Sequence, residues 1–110
     1  MGLTKSDMFS EQQNLIANYA RVLGHPARVA IIQHLFAMNA CVCGELVLET
    51  GLAQPTVSQH LKELKSMGLI KGSIEGTSVC YCIDEGAWNH MKEALGLLIN
   101  QQVNQSTGCC

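Results

Sequence analysis

Gly51-Leu52-Ala53 runs straight into Gln54-Pro55-Thr56-Val57-Ser58-Gln59-His60-Leu61-Lys62-Glu63-Leu64, a tight turn followed by an amphipathic helix with both ends marked. Pro55 lies in the first turn, where a missing N–H costs nothing, and Gly68 after Met67 supplies a left-handed stop. Val57, Leu61 and Leu64 form the inward stripe and leave Gln54, Thr56, Ser58, Gln59 and His60 on the other side. A short helix is predicted over Cys43 to Thr50, so two helices flank a turn that contains glycine. That is a helix-turn-helix, whose second helix enters a major groove with its N-terminal residues near base edges.

The flanking segments are equally legible. Ser10-Glu11-Gln12-Gln13 is a capping box, and Leu15, Ile16, Tyr19, Val22 and Leu23 follow at helical spacing up to Gly24. Pro26 opens a second helix, and Met38-Asn39-Ala40 breaks it. Past Gly68, two β segments, Leu69 to Ile74 and Thr77 to Asp84, surround a Glu75-Gly76 turn. In the second, Val79, Tyr81 and Ile83 alternate with Ser78, Cys80 and Cys82, which puts the two cysteines on the outer face. A last helix covers roughly Ala87 to Gln101. The organisation predicted is a flexible N-terminus over 1–9, one domain over 10–101 and a flexible, Cys-ended tail over 102–110. The fold class is mainly α with a small β-hairpin (α+β): a winged helix-turn-helix in the order α-α-α-α-β-β-α.

Charge and composition bear on partners. The net charge of −2 argues against indiscriminate DNA affinity, which comes from Lys and Arg neutralising phosphates. Between Gln54 and Gly72, however, Lys62, Lys65 and Lys71 face Glu63 alone, a local excess of about +2. Charged residues are 15% of the chain and apolar ones 47%, so apolar surface remains to be hidden, most simply in a homodimer. Tyr19, Trp88, Met91, Leu95 and Leu98 are the expected dimer interface. No apolar run approaches the ~20 residues of a membrane helix, and no signal core follows Met1, so the expected location is cytoplasmic, with no membrane partner. In that setting the six cysteines are free thiols, metal ligands or redox groups rather than a disulfide scaffold.

Several separated motifs now fall in one order: Leu23-Gly24-His25-Pro26-Ala27-Arg28, then Cys41-Val42-Cys43, then Ala53 to Leu64, then Gly68-Leu69-Ile70 with its hairpin. Together, over about residues 12 to 100, they resemble the ArsR/SmtB family of metal- and metalloid-responsive repressors, and most the arsenic-responsive branch. The resemblance implies a homodimeric transcriptional repressor on double-stranded operator DNA, and no enzyme. No catalytic constellation accompanies any cysteine. It places Gln54, Thr56, Ser58, Gln59 and His60 at bases, with Lys62 and Lys65 at phosphates and Lys71 and Thr77 on the wing. Pro55 departs from the family, which often has Ser there. Arg28 is left between a phosphate contact and an ion pair within the fold.

The resemblance also makes Cys41 and Cys43 the metal site, on the helix ahead of the reader, for As(III), Sb(III) or another soft metal as inducer. Thiolates select such acceptors over hard ions. Positions two apart on a helix point about 200° apart, so both sulfurs grip one ion only if that helix unwinds, which loosens the DNA reader. Leu46 stands where the arsenic branch often has a third cysteine; Cys109 or Cys110 is a candidate replacement. The acid and His pairs of the family's last-helix zinc site are missing between Glu85 and Gln101. The alternative inducer chemistry is thiol oxidation or persulfide formation at Cys41, Cys43, Cys80 or Cys82.

Overall fold

The structure, a computed structural model, describes residues 8–39, 41–42, 50–75 and 78–103, and of residues 73–75 and 78 the backbone alone. Its elements are α1 (Glu11–Leu23), α2 (Pro26–Met38), α3 (Gln54–Ser66), β1 (Ile70–Glu75), β2 (Ser78–Ile83) and α4 (Glu85–Ile99). This is the winged helix-turn-helix order, with α3 as the reading helix and β1–β2 as the wing. The short helix expected over Cys43 to Thr50, apart from Thr50 itself, and the Cys109-Cys110 tail lie outside the described residues.

The helix boundaries follow local chemistry. The Ser10 hydroxyl accepts from the Gln13 N–H at 3.1 Å, while the Gln13 side chain accepts from the Ser10 N–H at 2.9 Å, so two orphan donors of α1 are satisfied reciprocally. At α2 the cap is His25, whose Nδ1 accepts from the Ala27 N–H at 3.0 Å, with Pro26 next. Asn39 ends α2 in the left-handed region. Asp84 caps α4 by accepting from the Ala87 N–H at 3.0 Å. Gly51 (φ +69°) and Gly68 (φ +74°) occupy conformations that cost side-chain-bearing residues energy, one ahead of α3 and one behind it.

The core is a single cluster. Val22 of α1, Ile31 and Leu35 of α2, Val57, Leu61 and Leu64 of α3, Leu69 and Ile70 at the wing's base, and Met91 and Ala94 of α4 meet in it. Val57 and Leu64 are sealed from solvent, so the apolar stripe read for α3 is the stripe observed.

Three expectations are corrected. Cys41 and Val42 are not helical: Val42 forms an antiparallel bridge to Tyr81, donating to the Tyr81 carbonyl at 2.8 Å and accepting its N–H at 2.9 Å. The wing thus gains a one-residue third strand, joined to β2 across the sequence. Second, Cys80 is fully buried rather than on an outer face, and Val79 is 43% exposed. With β1 paired to one edge of β2, Val42 bridged to the other and α2 packed against it, the small side chain of Cys80, itself disulfide-bonded, rather than the valine, fills the interior. Third, Tyr19 and Met91, expected between subunits, are 4% and 2% exposed and belong to the core of one chain. Trp88 is half-buried with its ring edge-on to Phe36, centroids 4.9 Å apart. Leu98 is exposed, beside Leu97 and Ile99.

Candidate nucleic-acid interface and thiol site

On α3 the polar face is open. Gln54, Thr56, Ser58, Gln59, Lys62 and Lys65 are all exposed. The Gln54 amide donates to the Ser58 hydroxyl at 3.2 Å, an i,i+4 bond that fixes two side chains of that face before any contact is made. Lys71, on β1, is exposed on the wing; Thr77 lies outside the described residues.

His60 does not share this face, which corrects the expectation for it. It is 8% exposed and turned inward, with its ring 4.3 Å from that of His25 and its Nδ1 accepting from Arg28 Nε at 3.1 Å. Arg28 also donates to the carbonyls of Val22 at 3.2 Å and Arg21 at 3.4 Å, so its guanidinium closes the end of α1. Burial, then the neighbouring His25 and Arg28, hold the His60 pKa below the ordinary imidazole value, against a weaker opposing pull from Glu63. A neutral imidazole is what an N–H donor at Nδ1 requires. Arg28 is therefore spent inside the fold. A second tie, Arg21 to Glu63 at 3.3 Å, joins α1 to α3 and offsets the acid nearest Lys62. As an exposed pair it is worth at most about 1 kcal/mol.

The thiol site is built differently from the one expected. Cys41 is bonded to Cys82 of β2, with Cα atoms 4.5 Å apart. The bridge next door explains the pairing. Val42 and Tyr81 exchange both backbone hydrogen bonds, so the adjacent pair, Cys41 and Cys82, is the closely spaced type of an antiparallel ladder. Side chains on such a pair point the same way and touch. Cys41 is exposed and Cys82 half-buried. Cys43, Cys109 and Cys110 lie outside the described residues. Among the described residues no group of three or more His, Cys, Asp or Glu side chains is placed to hold a metal ion. The donors present, two adjacent sulfurs, suit a soft ion when reduced and give a dithiol partial coordination of it.

Cys82 as the partner of Cys41 was missed because the two are 41 positions apart. One signal existed: Cys41-Val42-Cys43 and Cys80-Tyr81-Cys82 share a spacing of two around an apolar residue, the period of facing strands rather than of a helix.

A small helical core, a reading helix with an open polar face and a β-wing define a winged helix-turn-helix protein of the nucleic-acid-binding class. Residues 25–71 match the profile described as "Bacterial regulatory protein, arsR family". Over 88 residues the chain is 32% identical to the HTH-type transcriptional regulator CmtR of Mycobacterium tuberculosis, covering 80% of this chain and 71% of that protein. It is similar to the crystal structure of the transcriptional repressor BigR from Xylella fastidiosa (TM-score 0.62, 26% identity, 92% of this chain and 99% of that one). It is also similar to the NMR structure of the cadmium metal-sensor CMTR from M. tuberculosis (TM-score 0.50, 31% identity, 86% and 96%). The chain belongs to the ArsR/SmtB family of winged helix-turn-helix transcriptional regulators, a family of regulators and not of enzymes. No helix among the described residues is long and apolar enough to cross a membrane.

Proposed function

We propose that this chain is a homodimeric transcriptional repressor released from operator DNA when a thiophilic species engages the Cys41 thiol. The observation that carries the reading is the position of Cys41. It sits against Cys82 one residue from the Val42–Tyr81 bridge, so chemistry at its sulfur acts directly on the wing strand. Gln54, Thr56, Ser58 and Gln59 read bases; Lys62, Lys65 and Lys71 hold phosphates, with Thr77 beside them on the wing. His60 is removed from that set and positions α3 instead. The exposed Leu97, Leu98 and Ile99, with Met8 and Phe9, form the apolar surface shared between two copies.

The inducer is a soft ion or metalloid, with arsenite and antimonite first among candidates, held by Cys41 and Cys43. Cys82, adjacent to Cys41, supports the third sulfur more directly than the tail cysteines Cys109 and Cys110 do. A relative that is a cadmium sensor supports the softness of the ligand. A second reading, thiol oxidation, is favoured by the Cys41–Cys82 bond itself. Both readings share the Cys41 sulfur and differ in its partner, so one experiment separates them. Fluorescence anisotropy on the chain's own upstream DNA is run with arsenite, antimonite, Cd²⁺, Zn²⁺ and peroxide on wild type, Cys41→Ser, Cys43→Ser and Cys82→Ser. Ion-driven release that needs Cys41 and Cys43 upholds the metalloid reading. Peroxide-driven release that needs Cys41 and Cys82 upholds the redox reading. Release that survives loss of Cys41 ends both.

A further inference from the structure

A cavity of about 510 Å³ opens beside the Cys41–Cys82 bond, with both cysteines in its wall. Phe36 and Trp88 also line it, an edge-to-face aromatic pair whose Phe36 is 48% exposed. Glu85 and Lys92 complete it as the acid and the base among its lining residues. Its volume falls within the usual range for small-ligand sites, about 300–1,000 Å³. Nothing in DNA reading requires a pocket here, on a face built from α2 and α4.

We propose that this cavity binds a small peptide thiol carrying a separated ammonium and carboxylate, and presents that thiol to the Cys41–Cys82 bond. The proposal rests on the reading of these cysteines as a reversible thiol pair and adds the identity of the reductant. Charge spacing selects the ligand class. Glu85 and Lys92 lie seven residues apart on α4, about 10 Å along its axis. An amino-acid thiol bears both charges on one carbon and reaches only one of these residues, whereas a short peptide thiol spans both. The aromatic pair covers its backbone.

The chemistry is thiol–disulfide exchange. The ligand thiolate attacks the sulfur of Cys41, an exposed residue, a new S–S bond forms between them, and the Cys82 sulfur leaves as a thiolate. A second ligand thiolate attacks the ligand's sulfur in that mixed disulfide. The ligand disulfide departs, and Cys41 is freed as the second thiolate. Two electrons pass from two ligand thiols to one protein disulfide, and the two cysteine thiolates take protons from solvent.

The test uses the full oxidised chain and follows opening of the Cys41–Cys82 bond by alkylation and mass spectrometry. Glutathione and 2-mercaptoethanol serve as probes over a concentration series. The expected result is a rate that saturates with glutathione and stays linear with 2-mercaptoethanol. Lys92→Glu, at an exposed position, raises the half-saturating glutathione concentration about three- to fivefold, as expected for one screened charge contact. Phe36→Ala, which changes no charge, also weakens saturation, and neither variant alters the 2-mercaptoethanol rate. Linear kinetics for both thiols, or saturation untouched by both substitutions, overturns the proposal. DNA affinity is not read in this assay. A repressor indifferent to its disulfide would sink the sensing reading while leaving the docking result intact.

Discussion

Arg28 Nε donates to His60 Nδ1 across 3.1 Å, so a side chain at the start of α2 grips an imidazole on the buried side of the reading helix. The bond exists only while Nδ1 is unprotonated. His60 therefore binds a proton less readily folded than unfolded, where its value is near 6.5. Wherever the unfolded chain binds more protons, stability rises with pH. The His60 contribution is thus complete above roughly pH 7 and is lost as the pH falls through about 6.5 toward the folded value. His60→Asn, which keeps an acceptor without titrating, should flatten that part of the curve of denaturation midpoint against pH. An unchanged slope would refute the role.

The open face of α3 separates base reading from phosphate binding. Gln59→Ala should cost about 1–3 kcal/mol on the cognate operator and little on unrelated DNA. Lys62→Ala should weaken both alike and reduce the slope of log affinity against log salt by about one. Anisotropy titrations at several salt concentrations distinguish the two patterns. Equal losses for Gln59→Ala on both DNAs would remove it from the base-reading set.

Closing or opening the Cys41–Cys82 bond should change operator affinity by a coupling of about 1–3 kcal/mol, or 5–150-fold. Cys82→Ser should abolish that dependence while leaving the reduced protein's DNA affinity near wild type. Identical affinities for oxidised and reduced wild type would show that the bond has no regulatory consequence.

The apolar residues of α4 divide into two groups with opposite expected phenotypes. Leu98→Glu combined with Ile99→Glu, at positions 55% and 69% exposed, should yield a folded monomer by sedimentation. Met91→Ala, in the core of one chain, should cost about 2–5 kcal/mol of stability. A dimer that persists in the Leu98/Ile99 variant would place the subunit contact elsewhere.

Legibility from sequence depended on whether the governing interaction was local. The Ser10 capping box, Pro26 at the start of α2 and Gly68 behind α3 are decided within four residues, and each was readable. The placement of Cys41 depends on Tyr81, far along the chain, and no helical periodicity carries that information. His60 was misplaced for another reason. Its spacing from Val57 and Leu64, three and four positions, is that of the inward stripe, but its polarity suggested the outward face. Arg28, brought from another helix, is what makes an inward imidazole tolerable. Tyr19 and Met91 were assigned between subunits because an apolar stripe on a terminal helix does not say which partner covers it.

The single rung that Val42 adds beside Tyr81 makes the stretch from Asn39 to Val42 a ruler. One extra residue there would turn the rung over, send the Cys41 sulfur to the opposite side and strand Cys82 without its mate. Extra residues between Glu75 and Ser78 would leave the Val42–Tyr81 rung in register. Natural length variation among chains that keep this thiol pair should collect at the tip and spare the ruler.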